Sequence, residues 1–258
     1  MELLQVSNVS KRFGGLIAIR DCSFAIEKGR TTCLIGPNGA GKTTLFNLIT
    51  GFLKPDTGSI TYKGQPLVGR PARSIVGLGI ARSFQHLALF KELTVLENVM
   101  VALPGQPDEG PGGALLAVVV PAIGKARRRA RDKAMGLLSL VGLADRAGTV
   151  VGNLSYGEQK LLAIARVLAT DAQILLLDEP ASGLDDHALD NIVEVLAGIK
   201  ANDRTLLVIE HNTSLVRKIA DDVVFLHQGH VLAKGDPDTI MKTPELTEIY
   251  FGGGVVHA

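Results

Sequence analysis

The sequence LIGPNGAGKTT extends from Leu34 to Thr44. A β-forming apolar run (31–35) leads into its glycines, and a helix-forming run (44–49) follows its lysine. Strand, loop and helix in this order are the context that the pattern G-x-x-x-x-G-K-[ST] requires. The pattern therefore predicts a phosphate-binding loop, or P-loop, formed by Gly36, Pro37, Asn38, Gly39, Ala40, Gly41, Lys42, Thr43 and Thr44.

The glycines of this loop allow the backbone to curl so that successive N–H groups point inward, and the following helix adds its positive N-terminal end. The resulting concavity suits the phosphates of a nucleotide. We expect Lys42 to reach the β- and γ-phosphates and the Thr43 hydroxyl to bind Mg²⁺. The alternative is a glycine-rich turn with an incidental lysine, which the flanking strand and helix disfavour.

Composition limits the kinds of protein that this chain can be. With 258 residues, 46% of them hydrophobic, it can bury a sizeable core as one large domain or a domain with a subdomain. The formal net charge of +1 provides no strong overall field for nucleic acid or an anionic membrane, so any such partner must be met through a local patch. We expect no nucleic-acid partner. Cys22 and Cys33 lack CxxC or metal-ligand spacing and are expected to be buried, reduced thiols in a cytosolic protein.

No membrane-spanning segment is expected. The N-terminal residues lack the basic stretch and apolar core of a secretory signal. The longest apolar run, residues 114–123, is shorter than the roughly 18 residues that cross a bilayer, and Pro121 interrupts it. If this protein works at a membrane, other subunits must cross it.

Strand and helix patterns divide the chain into three parts. Residues 1–85 carry short alternating runs, which predict an antiparallel sheet, and then the P-loop strand and helix. Residues 86–153 are mostly helical in pattern, and Thr94 and Glu97 have the spacing of a capping box. Residues 154–258 return to apolar strands alternating with helices, the pattern of a sheet covered on both faces.

We therefore expect one domain of the α/β class over residues 1–258. Its P-loop NTPase core, with a mostly parallel sheet and an antiparallel β subdomain, would comprise residues 1–85 and 154–258. An inserted α-helical subdomain would comprise residues 86–153. A basic run at residues 125–133 is either the solvated face of a helix or a contact for lipid headgroups or a partner.

Two carboxylates stand at the end of an apolar strand in the sequence LLLDEP (175–180). The ends of such strands form the crevice of an open α/β sheet. In a P-loop protein, Asp178 would hold Mg²⁺ through its coordination shell, as a Walker B aspartate does. Glu179 would accept a proton from an attacking water. The alternative is an acidic pair that caps a neighbouring helix.

The sequence LSYGEQ (154–159) precedes a long helical pattern. Ser155 and Glu158 have the spacing of a capping box, and Gly157 permits close approach of another backbone, so the helix start is suited to an anion. On its own, such a box is common. In chain order with the P-loop and Walker B motifs, it resembles the signature motif of ATP-binding cassette (ABC) ATPases.

The resemblance covers nearly the whole chain. Phe13 stands where the adenine-stacking aromatic residue lies in ABC ATPases, and Gln85 resembles the Q-loop glutamine. Residues 182–185, which end in Asp185, resemble the D-loop, and His211 resembles the switch histidine. Taken singly, Phe13 would be a core or turn aromatic, Gln85 a surface residue and His211 a strand-end histidine. Their joint order favours the functional interpretation.

The resemblance implies a site for ATP and Mg²⁺. Its catalytic residues would be Glu179, acting as the base, together with His211 and Gln85. Its Mg²⁺ ligands would be Thr43, Gln85 and Asp178. The nucleotide would be contacted by the P-loop residues 36–44 and by Phe13, Ser155, Gly157 and Asp185.

The resemblance also implies that two cassettes pair head to tail, so that Ser155 and Gly157 of one contact the γ-phosphate held by the P-loop of the other. ATP then joins the two subunits, and hydrolysis releases them. The cycle would reach membrane permeases through a groove beside Gln85. Tyr156 and Glu158 depart from the majority signature, in which glycine is commonest at the position of Tyr156. The serine and the inner glycine are kept, so we expect a competent site.

Local sequence narrows the resemblance. Residues 82–86, 89–99 and 249–252, and an insertion at 104–131, are similar to the longer of the two ATPases of bacterial branched-chain amino acid importers. This implies a second ABC ATPase that is a copy or a paralogue, integral membrane permease subunits and, indirectly, a periplasmic or extracellular substrate-binding protein. The chain would be peripheral, at the cytoplasmic face of the inner membrane.

Other functions are left open by this resemblance. ATPases of urea and amide importers and of lipopolysaccharide exporters are related alternatives. A soluble ABC ATPase acting on ribosomes or DNA belongs to a different class, whose members usually carry two cassettes or a long coiled coil. A catalytically silent regulatory module is disfavoured because Lys42, Asp178, Glu179 and His211 are all present.

Overall fold

The computed structural model describes residues 1–83, 87–104 and 121–251. Its strands, in chain order, are β1 (Glu2–Phe13), β2 (Leu16–Glu27), β3 (Thr31–Ile35), β4 (Thr57–Tyr62), β5 (Gln65–Pro66), β6 (Ile80–Arg82), β7 (Ile174–Asp178), β8 (Thr205–Ile209), β9 (Asp222–His227) and β10 (His230–Gly235). Its helices are α1 (Lys42–Ile49), α2 (Ala72–Leu78), α3 (Val95–Val101), α4 (Pro121–Leu140), α5 (Tyr156–Ala169), α6 (Asp186–Ala201), α7 (Thr213–Ile219), α8 (Pro237–Lys242) and α9 (Pro244–Phe251).

The strands form two sheets. The central sheet has the order β10-β9-β3-β8-β7-β6, with β10 antiparallel to β9 and the other neighbours parallel. The second sheet has the order β2-β1-β4-β5 and is antiparallel throughout. Gly14, in the turn between β1 and β2, has a φ of 58°, which glycine adopts without strain. The predicted α/β fold with a mostly parallel core sheet and an antiparallel subdomain is confirmed.

Both faces of the central sheet are buried. Leu34 and Leu207 belong to an apolar cluster that includes Phe46 of α1 and residues of the antiparallel sheet. Cys33 and Val208, their neighbours along the strands, belong to a second cluster that includes residues of the helices α3 to α7. This division arises because successive residues of a strand point to opposite faces. The continuous apolar strands are therefore explained by cover on both sides.

A helical segment packs beside this core. Helices α3 and α4 contact each other and α5. The predicted capping box is present at α3, where the backbone N–H of Glu97 donates to Thr94 Oγ1 (3.2 Å) and the Thr94 N–H donates to Glu97 Oε2 (2.8 Å). In α4, Ala134 and Leu138 are buried, whereas residues 125–129 are exposed, which agrees with both interpretations of the basic run.

The predicted buried thiols are confirmed, since Cys22 and Cys33 are free and buried. Burial raises the pKa of the Cys22 thiol to about 12 and also raises the pKa of Cys33, so both are inert at neutral pH. Within the described residues, no helix has both the length and the apolar character needed to cross a bilayer.

Candidate nucleotide site

The chemistry-bearing residues meet at one edge of the central sheet. Strand β3 ends at the P-loop, β7 at Asp178 and Glu179, β8 at Glu210 and His211, and β6 at Arg82. Because these strands are parallel, their carboxyl ends open into the same crevice. Residues that are far apart in sequence therefore face one site.

Two glycines of the P-loop allow its backbone to pass close to other segments of the protein. Gly36 has a φ of 146°, and a β-carbon there would lie 2.0 Å from the carbonyl oxygen of Leu226. Gly41 has a φ of 105°, and a β-carbon there would lie 2.6 Å from the carbonyl oxygen of Ala18. Neither position can hold a larger residue without moving the loop.

The start of α1 is arranged for an external anion. Its N-cap is Gly41, which makes no side-chain cap hydrogen bond, and its first turn contains no acidic residue. The unpaired first-turn N–H groups and the positive end of the helix are thus left for a ligand. Phosphate is the anion that this geometry suits.

Lys42 lies inside the loop that it completes. Its side chain is buried, and Nζ donates to the carbonyl oxygens of Gly36 (2.7 Å) and Pro37 (3.0 Å). Burial lowers the pKa of Lys42, and the charges of Glu179 and Asp178 oppose this shift. A phosphate entering the loop would place negative charge beside an ammonium whose direct partners, among the described residues, are two carbonyl oxygens.

Asp178 is held by an arginine to which the sequence assigned no role. Arg82 Nη2 lies 2.8 Å from Asp178 Oδ2, and the two side chains are only 6% and 3% exposed. Arg82 also donates to Asn47 Oδ1 (2.5 Å) and stacks on the ring of Phe46. The backbone N–H of Asp178 donates to Ser83 Oγ (3.0 Å). Asp178 is therefore held by both its side chain and its backbone.

Arg82→Met is expected to lower the free energy of unfolding by about 3–5 kcal/mol, because it leaves the buried Asp178 carboxylate without its partner. Urea denaturation of the nucleotide-free protein, followed by circular dichroism, measures this loss. Lys218→Met is the control, since the Lys218–Asp190 pair is exposed and is worth about 0–1 kcal/mol. Equal, small losses in both variants would contradict the assigned importance of the buried pair.

The residues around Asp178 fit a magnesium ion that arrives with a nucleotide. No cluster of three or more His, Cys, Asp or Glu side chains suited to a metal lies in the described parts of the chain. Mg²⁺ does not need one, because it is usually held by one or two carboxylates, substrate phosphates and water. The Arg82 bond engages Oδ2 of Asp178, and the Thr43 hydroxyl follows Lys42 on the loop.

Glu179 and His211 lie together. His211 Nε2 is 3.2 Å from Glu179 Oε1, although 32 positions separate the residues. Glu179 has a φ of 50°, which is unusual for a residue other than glycine, and its backbone N–H donates to the Ile209 carbonyl (2.9 Å). Burial, and next the charge of Lys42, lowers the pKa of His211, while Glu179 opposes the shift. His211 is therefore neutral at pH 7 and can hold the carboxylate by a hydrogen bond.

A second buried carboxylate, also missed in the sequence, positions this pair. Glu210 is only 2% exposed; its Oε1 accepts from the Ala181 N–H (2.9 Å) and its Oε2 from the His211 N–H (3.1 Å). Burial raises the pKa of Glu210, and the backbone hydrogen bonds oppose the shift. Tyr250 Oη donates to the His211 carbonyl (2.8 Å). The backbone of His211 is thus held from two sides.

The signature motif caps α5. The Glu158 N–H donates to Ser155 Oγ (3.2 Å), and the Ser155 N–H donates to Glu158 Oε2 (2.8 Å), so the predicted capping box is present. Glu158 also accepts from Arg146 Nε (2.9 Å). In the described part of the chain, no hydrogen bond joins Ser155 or Gly157 to the P-loop. Ser155 and Tyr156 are exposed to solvent.

The remaining predicted site residues are Asp185, Phe13 and Gln85. Asp185 is the N-cap of α6, where its Oδ1 accepts from the Ala188 N–H (2.8 Å). Phe13, at the end of β1, is 45% exposed and therefore available to a planar ligand. Gln85 lies outside the described residues, so its predicted roles in catalysis and Mg²⁺ binding are not addressed by the structure.

A P-loop and a Walker B strand end that meet at one crevice, together with a capped and solvent-exposed signature helix, define an ATP-binding cassette. The family model for ABC transporters matches residues 19–182. The chain belongs to the ABC transporter family, and it is a nucleotide-binding ABC ATPase.

Individual relatives agree with this assignment. The high-affinity branched-chain amino acid transport ATP-binding protein LivG of Salmonella typhimurium is 41% identical over 251 residues, which are 97% of this chain and 98% of LivG. The corresponding protein BraF of Pseudomonas aeruginosa is 38% identical, with the same coverage. A crystal structure of an ATP-binding cassette of an ABC transporter in its ADP conformation has a TM-score of 0.85 at 33% identity, covering 98% of this chain and 99% of that one.

Proposed function

We propose that this chain binds and hydrolyses ATP to energise a bacterial importer of branched-chain amino acids. The full-length similarity to LivG and BraF supports the substrate class. Hydrolysis, and not a silent regulatory role, is supported by one observation. Four side chains converge on one crevice: Lys42, Asp178, Glu179 and His211. Glu179 Oε1 lies 3.2 Å from His211 Nε2. Burial lowers the pKa of Lys42, and the negative charges of Glu179 and Asp178 both act to raise it.

Each of these groups has a role in the proposed reaction. The P-loop N–H groups and Lys42 bind the phosphates. Thr43 and Asp178 would hold Mg²⁺, which would supply positive charge to offset that of the phosphates. Glu179 accepts a proton from the attacking water, and neutral His211 orients Glu179 and the water. Phe13 would stack on the base.

A complete site requires a second cassette, identical or paralogous. Ser155 lies at the positive N-terminal end of α5 and is exposed, so it can contact a γ-phosphate held by another chain. Within this chain, its hydroxyl accepts only from its own helix among the described contacts. ATP bound between two such surfaces would hold the cassettes together, and hydrolysis would release them.

The proposed contact with the permease is a groove beside the end of β6. A cavity of about 210 Å³ is lined by residues that include Val76, Ser83, Leu87, Ala102 and Arg166. It lies between the nucleotide core and the helical segment, whose separation would change as the cassettes open and close. A helix of an integral membrane permease is the proposed occupant, which would keep this chain peripheral at the cytoplasmic face of the inner membrane. A substrate-binding protein would act only indirectly.

Val76→Glu is expected to abolish co-purification with the permease subunits, because a carboxylate would have to lose its water when a permease helix covers this position. Val76 is already 43% exposed, so ATP hydrolysis by the isolated protein should be unchanged. Leu232→Glu, at a 48% exposed position on β10, is the matched control and should retain the complex. Equal retention of permease by both variants would argue against this groove.

Uptake by cells tests the transported substrate. A strain lacking this chain should lose uptake of radiolabelled leucine, and the wild-type chain should restore it, whereas Glu179→Gln should not. Loss of urea uptake with normal leucine uptake would instead favour the related urea and amide importers. Recovery of the chain with ribosomes or DNA, and with no membrane protein, would contradict the transport function.

A further inference from the structure

A buried lysine on the signature helix contacts the backbone of Glu179. Lys160 lies one turn into α5 and is only 4% exposed. Its Nζ donates to the Glu179 carbonyl oxygen (2.7 Å) and to Ser182 Oγ (2.9 Å). Among the described residues, no carboxylate lies within ion-pair distance of this ammonium. A buried charge is costly to retain without a carboxylate, so a specific function for its contacts is favoured.

Glu179 has an unusual backbone conformation, and its carbonyl oxygen accepts several hydrogen bonds. Glu179 has a φ of 50°, and such a conformation persists only when surrounding contacts enforce it. Its carbonyl oxygen accepts from Lys160 Nζ (2.7 Å), Ser182 Oγ (3.1 Å) and the Ser182 N–H (3.2 Å). Of these donors, only Lys160 belongs to another element. It therefore ties this peptide to α5.

Two further contacts join the same two segments. A β-carbon on Gly183 would lie 3.3 Å from Cε1 of Tyr156, whose ring centroid lies 5.5 Å from Nζ of Lys160 on the same helix. A β-carbon on Gly157 would lie 3.4 Å from the β-carbon of Ala188. The start of α5 and the chain that follows Glu179 thus fit closely. A displacement of one segment would move the other.

We propose that Lys160 is a positioning residue that makes the placement of the Glu179 carboxylate depend on the position of the signature helix. This inference rests on the proposed function, in which Ser155 contacts the γ-phosphate bound by the other cassette. Engagement of Ser155 in one composite site then sets the geometry of Glu179 in the other. Tyr156, where the majority signature has glycine, covers the lysine that makes this connection.

Lys160→Met tests the proposal in the full-length protein. It removes the ammonium but keeps an unbranched side chain of similar length, and Ser182 still satisfies the Glu179 carbonyl. We expect kcat for ATP hydrolysis to fall about 10- to 100-fold, because a small displacement of a reacting group lowers the rate by about this factor. The KM for ATP should stay within about twofold, because Lys160 Nζ contacts Glu179 and Ser182 and not the P-loop. Lys160→Arg, which retains the donors, should recover most of kcat.

Lys234→Met is the matched control, because Lys234 also donates to a backbone carbonyl, that of Ala25 (2.7 Å), and it lies away from the site. It should leave kcat and KM unchanged. Wild-type kcat in Lys160→Met, or a parallel loss of ATP affinity and thermal stability, would overturn the positioning role. Hydrolysis by Glu179→Gln at the wild-type rate would instead overturn the proposed function itself.

Discussion

Glu179→Gln is expected to reduce ATP turnover by about 10²- to 10⁴-fold, the usual contribution of a general base. The amide keeps the size of the carboxylate but cannot accept the proton of the attacking water. ATP binding should persist, since Lys42 and the P-loop are unchanged. The protein should then accumulate as an ATP-bound dimer, because the step that separates the cassettes is blocked.

Steady-state phosphate release measures the loss, and size-exclusion chromatography with and without MgATP measures dimer formation. Glu194→Gln, at an exposed position of α6, controls for the change of charge and should behave as wild type in both assays. An undiminished rate in Glu179→Gln would remove this residue from its assigned role. His211 would then have to be considered as the base in its place.

A mixture of Lys42→Ala and Ser155→Ala chains is expected to recover activity that neither variant has alone. Lys42→Ala loses a charge-assisted phosphate contact worth roughly 1.5–3 kcal/mol, and Ser155→Ala loses the contact made to the other chain's nucleotide. In a mixed dimer, both changes fall in one composite site, and the other site is intact. With random pairing of equal amounts in a two-fold symmetric dimer, about a quarter of all sites should be active.

Hydrolysis is measured for each variant, for the mixture and for the wild type at the same total concentration. Thr94→Ala controls for the lost helix cap, which is worth about 1 kcal/mol. Its capping box with Glu97 has the same two distances as that of Ser155 with Glu158 (3.2 and 2.8 Å). A mixture no more active than the average of its components would show that the sites are not shared between chains.

The P-loop and the helix caps were predictable because their determinants are local. At Gly36 and Gly41, the backbone angles and nearby backbone of this same protein exclude a side chain. The glycines therefore mark the loop in the sequence itself. The boxes at Thr94 and Ser155 depend on side chains three residues apart. Continuous apolar strands likewise predicted a central sheet covered on both faces.

The groups that hold the candidate catalytic residues were not predictable, because they are distant from those residues in the chain. Arg82 meets Asp178 across 96 positions, and Glu210 meets the Ala181 N–H across 29. Lys160 has only one signal in the sequence, a lysine within an apolar helical pattern. That signal does not indicate which carbonyl the lysine would bind.

By itself, the sequence determined which motifs are present, their order and the class of fold, because turn geometry, capping and apolar periodicity act over a few residues. Tertiary structure alone decided which charged groups meet. Parallel strands joined by long crossovers bring distant residues to one edge of the sheet. Burial there requires each charge to have a partner, and the partners of Asp178 and Lys160 are fixed only when the strands and helices pack.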